Sequence, residues 1–388
     1  MKSFSAPGIA LSALLGFGLL GATPMNGGRG LVYVHSASSL EKGRLELYSG
    51  VRYFGKIASF GGSKQAYMLW DVQNSLSVNY GAGPHVELSL TPILYQDING
   101  RGGNFWDGQA NFPDDILASV KFGSFRGLES PWEWGGLVTL RLPTAKVHNV
   151  IYEPYSAGNV SVQLTALASF HRNALFPEAG WSCHANLGYL NHNDVGRSLS
   201  RVPGAPSAQR MSSEILAGLG FQLPSDPFSF SAEMNGRAFL TRPPDPAYSR
   251  EYASYLSLGV VYRFTRWISA EIGLDKSLLT GEDLTDYRYV KPKEKSFPNY
   301  PSWRGILGVR LAVLPRSLYR SEKSGLEQTA KDRQAILEKM IESQSDMESA
   351  EQELARIQAE RKKVEEELER LRLLLESEKK SQSEPARP

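Results

Sequence analysis

The chain has 388 residues, of which 41% are hydrophobic, and its 43 basic and 41 acidic side chains leave a formal net charge of only +2. This length gives room for more than one structural unit. The near-neutral balance argues against a basic nucleic-acid-binding face, so no nucleic-acid partner is expected. Cys183 is the single cysteine, which excludes an intramolecular disulfide and a zinc site built from cysteine pairs.

The first element, residues 1–22, is typical of a signal peptide. Lys2 supplies a positive charge, Ile9 to Leu20 form an apolar run, and small residues suited to cleavage follow. The run is shorter than the about 20 residues that a membrane-spanning helix needs. We therefore expect an exported protein, and a buried N-terminal helix is the alternative. Residues 23–41 come next, as a periplasmic segment, a short plug or an extra pairing strand.

The hydrophobic pattern of residues 42–316 repeats every two residues, which indicates strands. Between Phe228 and Leu240, for example, apolar side chains occupy one face, while Glu233 and Arg237 occupy the other. A helix would scatter these charges around its circumference. About twelve such segments can be placed, near residues 43–54, 69–81, 84–97, 114–124, 132–144, 159–172, 180–191, 211–223, 226–241, 251–264, 266–276 and 303–314.

The lengths of these segments and of their connections favour a membrane barrel. Most segments exceed the about 5–6 residues usual in soluble proteins, and a tilted strand crosses a bilayer in about 9–11 residues. Short turns such as Ser225-Asp226 alternate with long loops such as Leu279 to Ser302, as in outer-membrane barrels with a periplasmic short side. Aromatic residues near segment ends, such as Trp181 and Tyr189, fit the two membrane interfaces.

We therefore predict an all-β membrane barrel of about twelve antiparallel, up-and-down strands in the outer membrane, with both termini in the periplasm. A water-soluble sandwich or barrel is the alternative, because alternation does not reveal which face is inside.

The polar face of the predicted strands carries charges of both signs. In a membrane barrel these residues face the lumen: Glu46, Arg52, Asp71, Glu87, Lys121, Arg141, Glu214, Glu233, Arg237, Arg263, Glu271 and Arg310. Either they line a water-filled lumen and select solutes weakly by charge, or they fill a closed lumen as ion pairs, with Arg237 meeting Glu233 or Glu271. The first arrangement predicts a porin-like channel for passive diffusion of small solutes. The second predicts a structural envelope protein whose closed barrel anchors the tail.

Several stretches resemble Gram-negative outer-membrane barrels of the porin-like and transporter-like kind. They are Asp115 to Phe122, the strand end Leu142 to Thr144, and Ala185 to Tyr189. The chain is similar to the porins of phenol-degradation pathways, and this resemblance covers most of residues 40–315. Such barrels end in a strand with a Gly-x-x-apolar-x-apolar pattern, which Gly308, Leu311 and Val313 match. The resemblance implies a barrel that passes small solutes.

The composition changes abruptly in residues 317–388 to Glu, Lys, Arg, Gln, Leu and Ala. Apolar residues there follow a heptad spacing, which predicts a periplasmic coiled coil that self-associates or binds a partner helix. The seam consists of Ile336, Met340, Met347, Leu354, Ile357, Val364, Leu368, Leu371 and Leu375. A solvated single helix held by charge pairs four residues apart is the alternative.

No catalytic site, cofactor or metal site is expected. The sequence contains no GxSxG, HExxH or phosphate-binding loop motif. The residues that come closest to the catalytic set of a lipase are the pair Ser182 and His184 and the loop Asn191 to Asp194. The simpler interpretation is that the pair occupies inward polar positions and that the loop is a cluster of polar residues.

Overall fold

The wall strands form one closed antiparallel sheet in a computed structural model of the chain. The structure describes residues 23–59, 66–100, 103–104, 111–127, 130–173, 180–199, 204–289, 299–315 and 356–365. The predicted signal peptide and most of the predicted tail lie outside these ranges.

Twelve strands build the wall within the described ranges, and each pairs with its neighbours in sequence. Their bounds are β1 (Leu45–Ser59), β2 (Ala66–Gly81), β3 (Val86–Gly100), β4 (Ile116–Phe125), β5 (Trp132–Leu142), β6 (Ser161–His171), β7 (Ser182–Asn191), β8 (Ser213–Ser225), β9 (Phe228–Thr241), β10 (Ala253–Arg263), β11 (Ile268–Thr280) and β12 (Trp303–Leu314). Gly103–Asn104 forms a short extension paired with the end of β3, and Tyr287–Tyr289 is a 3-10 turn.

Pairing of β1 with β12 closes the sheet, with Gly50 opposite Gly308 and Tyr53 opposite Gly305. Closure leaves no unpaired strand edge. In lipid such an edge would expose backbone N–H and C=O groups without hydrogen-bond partners. The prediction of about twelve antiparallel up-and-down strands is confirmed.

Burial along the strands shows which face is inside. On β3 the apolar residues Leu88 and Leu90 are 42% and 49% exposed. The polar residues Glu87 and Thr91 of the same strand are 1% exposed and fully buried. The same order holds on β11, where Ile272 is 60% exposed. Apolar side chains thus point outward and polar ones inward. This is the reverse of a water-soluble barrel, which excludes the soluble alternative.

An aromatic belt covers the outer surface at the short-turn end. Trp132 contacts Phe170 with ring centroids 5.2 Å apart, Phe170 contacts Trp181 at 5.4 Å, and Trp181 contacts Phe221 at 5.9 Å. Aromatic rings at this level match the headgroup region of a bilayer. The belt therefore marks one membrane interface.

Connections differ on the two ends of the barrel. Those on the belt side are residues 82–85, 126–131, 172–181, 226–227 and 264–267. Those on the opposite side are residues 60–65, 101–115, 143–160, 192–212, 242–252 and 281–302. The described residues of the longer connections in the second group lie over the lumen, as shown below, and we call this end the outer end.

The chain divides into two units, Met1–Arg320 and Ser321–Pro388. In the second unit the structure describes a helix over residues 356–365, in which Ile357 and Val364 are 59% and 56% exposed. The other predicted seam residues lie outside the described residues, so the coiled coil stays a prediction. No helix in the described part of the chain is long and apolar enough to span a membrane.

Leu258 lies in the middle of β10 and is 53% exposed on the outward apolar face. We therefore expect a charge at this position to destabilise the barrel in lipid. Leu258→Arg should lower the free energy of unfolding by about 2–4 kcal/mol in lipid, the cost of Arg near a bilayer midplane. Urea titration of the protein refolded in lipid vesicles measures this. Leu278→Arg, near the outer end of β11, is the matched control and should cost only about 0–1 kcal/mol. Equal costs at the two positions would contradict the membrane placement of β10.

Candidate functional site: the plugged lumen

Residues 24–41, which we call the plug, lie inside the barrel. Leu31, Val32 and Ala37 are fully buried, and Val32 packs with Tyr48 and Ile306 of the wall. The β-bridge of the plug joins its own residues Gly30 and His35, so the plug adds no strand to the wall. Of the arrangements expected for residues 23–41, the structure has the one inside the lumen.

A single wall carboxylate binds the centre of the plug. Glu233 on β9 accepts hydrogen bonds from the backbone N–H groups of Val32, Tyr33 and Val34 at 2.6, 2.9 and 2.8 Å. The side chain of Glu233 is 1% exposed, and hydrogen bonds to a charged acceptor are about twice as strong as neutral ones. Glu233, predicted as a lumen charge, therefore acts as the main docking point of the plug.

A buried ion pair holds both ends of the plug. Glu87 on β3 accepts hydrogen bonds from the N–H groups of Arg29 and Leu40 at 3.0 and 2.8 Å. Lys121 on β4 lies 3.2 Å from Glu87 and donates to the carbonyl of Arg29 at 2.8 Å. Each of these two charges therefore has both an opposite charge and the plug backbone as partners, as buried charges require.

Neutral wall side chains bind the rest of the plug backbone. Asn79 accepts from the N–H of Gly28 at 2.6 Å. Asn186 accepts from the N–H of His35 at 2.7 Å and donates to its carbonyl at 2.8 Å. Ser169 accepts from the N–H of Ala37 at 2.8 Å.

The residues nearest to a catalytic set bind other side chains of the wall and loops. Ser169 Oγ lies 2.8 Å from His184 Nδ1, and His184 Nε2 lies 3.1 Å from Ser182. In the loop Asn191 to Asp194, Asp194 accepts from Ser212. These contacts give each side chain a structural partner. Among the described residues, no group of His, Cys, Asp and Glu has the arrangement of a metal site.

Glycines in the wall allow the plug to approach closely. A Cβ added at Gly123 would lie 2.1 Å from the backbone carbonyl oxygen of Ala37, and one at Gly220 would lie 2.5 Å from Leu31. The carbonyl of Ala37 accepts from the N–H of Ser124 at 2.8 Å, so the plug backbone is fixed at this point. Gly123 is therefore needed for seating the plug.

The expected pairing of Arg237 is wrong. Arg237 binds Glu214 on β8 at 2.6 Å, whereas Glu233 binds the plug and Glu271 accepts from Tyr48 at 3.0 Å. Glu233 lies four residues away on the same strand, a separation of about 13 Å at about 3.3 Å per residue. Glu271 is on β11, two strands from β9.

The other predicted lumen charges also have wall or loop partners. Lumen-side contacts are Glu46 with Arg44 at 2.7 Å, Arg310 with Ser269 at 2.9 Å, Arg141 with Asp115 at 2.6 Å, and Arg52 with Glu153 at 3.4 Å. Asp71 is 4% exposed on the inward face of β2. Arg263 lies at the short-turn rim and pairs with Asp226 of the β8–β9 turn, so the structure does not bring it together with the others.

The outer loops fold over the lumen and bury their own side chains. Ile151 and Tyr152 are fully buried, and the ring of Tyr152 contacts Phe54 of β1 at 5.3 Å. Tyr155 donates to Asp194 at 2.7 Å, and burial together with Asp194 raises the pKa of this tyrosine well above its ordinary value. Burial also raises the pKa of Asp114, at the end of loop 101–115, to about 7 against the lowering effect of Arg141.

A chamber of about 260 Å³ remains between the plug and the outer loops. The plug contributes Tyr33 and His35, and the loops contribute Glu153, Tyr155 and Tyr300. The wall contributes four arginines: Arg52, Arg141, Arg237 and Arg304. Sequence reasoning identified the first three. Arg304 was missed although it shares the inward parity of Arg310 on β12, and Glu153 lies in a loop that carries no periodic signal.

No protein-family model and no curated protein matches the sequence. The solved structures that the barrel resembles include outer-membrane porins and channels and the translocator domains of autotransporters. An outer-membrane channel from Pseudomonas putida F1 is 14% identical, with 71% of this chain and 97% of that chain covered and a TM-score of 0.46. The NanC porin is 11% identical, with 69% and 98% covered and a TM-score of 0.41. The CymD monoaromatic hydrocarbon channel is 7% identical, with 70% and 88% covered and a TM-score of 0.33.

The docking of the plug on Glu233 can be tested by hydrogen exchange. Glu233→Ala removes the acceptor of three backbone N–H groups, each bond to a charged group contributing about 1.5–3 kcal/mol. We expect the amides of Val32, Tyr33 and Val34 to exchange at least about tenfold faster, as about 1.4 kcal/mol corresponds to a factor of ten. Hydrogen exchange read by mass spectrometry measures this.

Glu214→Ala is the matched control for that experiment. It also removes a fully buried wall carboxylate, whose partners are His192 and Arg237 rather than the plug. Equal acceleration of the plug amides in both variants would show that Glu233 has no special role in docking.

Proposed function

We propose that the chain is an outer-membrane channel for small solutes, and that its own plug closes the lumen at rest. The barrel has a polar interior and an apolar exterior, as a water-filled channel requires. Its bore is occupied by residues 24–41, which pack against the inward side chains of the wall. This observation carries the proposal.

Small wall side chains leave the bore that the plug fills. Ser77 and Thr91 are both fully buried and lie 2.7 Å apart on neighbouring strands. Ser119 and Thr139 form the same kind of pair at 2.9 Å. Because these hydroxyls bond sideways along the wall, they do not cross the lumen. A barrel packed shut by its own wall needs bulky inward residues instead.

The polar character of the docking contacts supports a removable plug. The wall offers carboxylates and amides to backbone N–H groups, and water can replace each of these partners when the plug leaves. A plug seated mainly on apolar surface would expose that surface to water at a cost of about 25 cal/mol per Å². The apolar plug residues Leu31 and Val32 add some of this cost, which favours the closed state at rest.

A structural envelope protein is the second candidate, and the filled lumen favours it. In this case the plug is a permanent part of the core, and the barrel serves only to anchor the tail. The predicted periplasmic coiled coil of residues 317–388 belongs to both proposals, as a site of self-association or of binding to a periplasmic partner.

Deleting the plug separates the two proposals. We expect the full chain to show little conductance in a planar lipid bilayer and a variant lacking residues 24–41 to show steady single-channel conductance, because the deletion removes the segment that fills the bore. A variant lacking the plug that enters the bilayer and stays silent would contradict the channel and leave the anchor.

A point substitution gives the same test with the whole chain present. Gly123→Ala places a methyl group against the carbonyl of Ala37, so we expect it to unseat the plug and raise the open fraction. Gly136→Ala is the matched control, since a Cβ there lies 3.9 Å from its nearest neighbour. Equal conductance of the two variants would contradict the role assigned to the plug contact at Gly123.

The tail should not affect conductance. Truncation after Pro315 removes none of the twelve wall strands and no part of the plug. When this truncation is added to the plug deletion, we expect the same current as from the plug-deleted chain with its tail. Loss of current in the doubly deleted variant, with the barrel still folded, would instead place the tail in the conduction path.

A further inference from the structure

We propose that the chamber between the plug and the outer loops binds a small organic solute through an anionic oxygen group, either a carboxylate or a phosphate. This inference rests on the proposed channel function and names the class of solute that the channel would admit. It begins from the charges that face the chamber.

Arg304 is a buried cation without a carboxylate partner. It is 5% exposed, lines the chamber and lies 4.8 Å from the centre of the Tyr255 ring. Its Nη2 donates to the carbonyl of Tyr152 at 3.3 Å, while its Nε has no acceptor. Among the residues that the structure describes, no carboxylate oxygen lies within 4.0 Å of this guanidinium. Glu153, Asp275 and Asp71 compensate its charge at longer range, and none of the described carboxylates forms a direct ion pair with it. The guanidinium that lines the chamber is therefore available to an anionic oxygen.

One acidic residue of the wall next to Arg304 binds the plug. Asp275 on β11 lies opposite Arg304 in the strand register, yet its Oδ2 accepts a hydrogen bond from the hydroxyl of Tyr33 at 2.5 Å. The plug thus binds this carboxylate, and Arg304 lines the chamber.

Three further arginines line the chamber, and each has a carboxylate partner. Arg141 and Arg237 pair with Asp115 and Glu214, which are not among the residues that line the chamber. Arg52 pairs with Glu153, and its Nε has no acceptor. Four guanidinium groups therefore face the chamber against the one carboxylate of Glu153, among the residues described. A cavity whose lining carries more cationic than anionic groups favours ions of negative charge.

The rest of the lining suits the body of an organic molecule. Ile93, Leu117 and Leu216 offer apolar contact, and Tyr155 and Tyr300 offer ring faces. The volume of about 260 Å³ lies just below the about 300–1,000 Å³ of ordinary ligand pockets. These dimensions fit a small solute that carries one anionic group.

Binding is measured on the full, closed chain, so its outcome does not depend on conductance. The protein is refolded in detergent micelles and titrated calorimetrically with butyrate, with its neutral isostere butyramide, and with inorganic phosphate, at constant ionic strength. We expect saturable binding of butyrate or phosphate and none of butyramide. The anion that binds identifies the group as a carboxylate or a phosphate.

Variants of opposite expected effect assign the binding to the chamber. Arg304→Gln should weaken anion binding at least tenfold, whereas Glu153→Gln should strengthen it because it removes the one acidic group that faces the chamber. Arg263→Gln, at the short-turn rim, is the matched control and should bind as the unchanged chain does. The heat-dependent gel mobility of folded barrels shows that each variant has folded.

The proposal is overturned if neither anion binds the unchanged chain, if butyramide binds as well as butyrate, or if Arg304→Gln and Glu153→Gln both leave anion binding unaltered. Anion binding by a chain whose plug-deleted form stays silent would retain the chamber site and contradict the channel. Conductance of the plug-deleted form without anion binding by the full chain would retain the channel and contradict the chamber site.

Discussion

The hydrogen-bonding demand of the peptide backbone governs both layers of this molecule. In the wall, strand pairing and closure of β1 on β12 satisfy it. Inside the lumen the plug has almost no regular structure of its own, so its N–H groups take acceptors from wall side chains, above all Glu233 and Glu87. Buried backbone donors are nearly always paired in native proteins. The inward charges are therefore explained first by the plug and only then by the solute.

The strands were predictable where apolar and polar side chains alternate every two residues along the sequence. Alternation assigned Glu233 and Met234 to opposite faces, and the structure has Glu233 buried and Met234 48% exposed. Segment lengths and turn residues located all twelve strands to within several residues. A periodic pattern fixes the face of a residue but not its neighbour across the lumen. For this reason the partner predicted for Arg237 was wrong, and the contacts of Glu233 with a segment about two hundred residues earlier were not foreseen.

The chamber depends on elements with no periodic signal. Glu153, Tyr155 and Tyr300 come from long outer loops, and their positions follow from loop contacts such as Tyr155 with Asp194 and Tyr255 with the carbonyl of Pro301. Such contacts join residues far apart in sequence and are specific to one loop conformation. The periodic pattern identified three of the four inward arginines, but it could not predict the plug and loop residues that complete the chamber.

Closure of the wall through its first and last strands has a consequence for biogenesis. The ring is complete only when β1, which begins at Leu45, meets β12, which ends at Leu314. Any shorter set of strands presents two bare edges, which hydrocarbon does not tolerate and which template aggregation in water. A chain that ends before β12 leaves β1 and β11 with unpaired edges, so we expect it to form no smaller barrel in a bilayer.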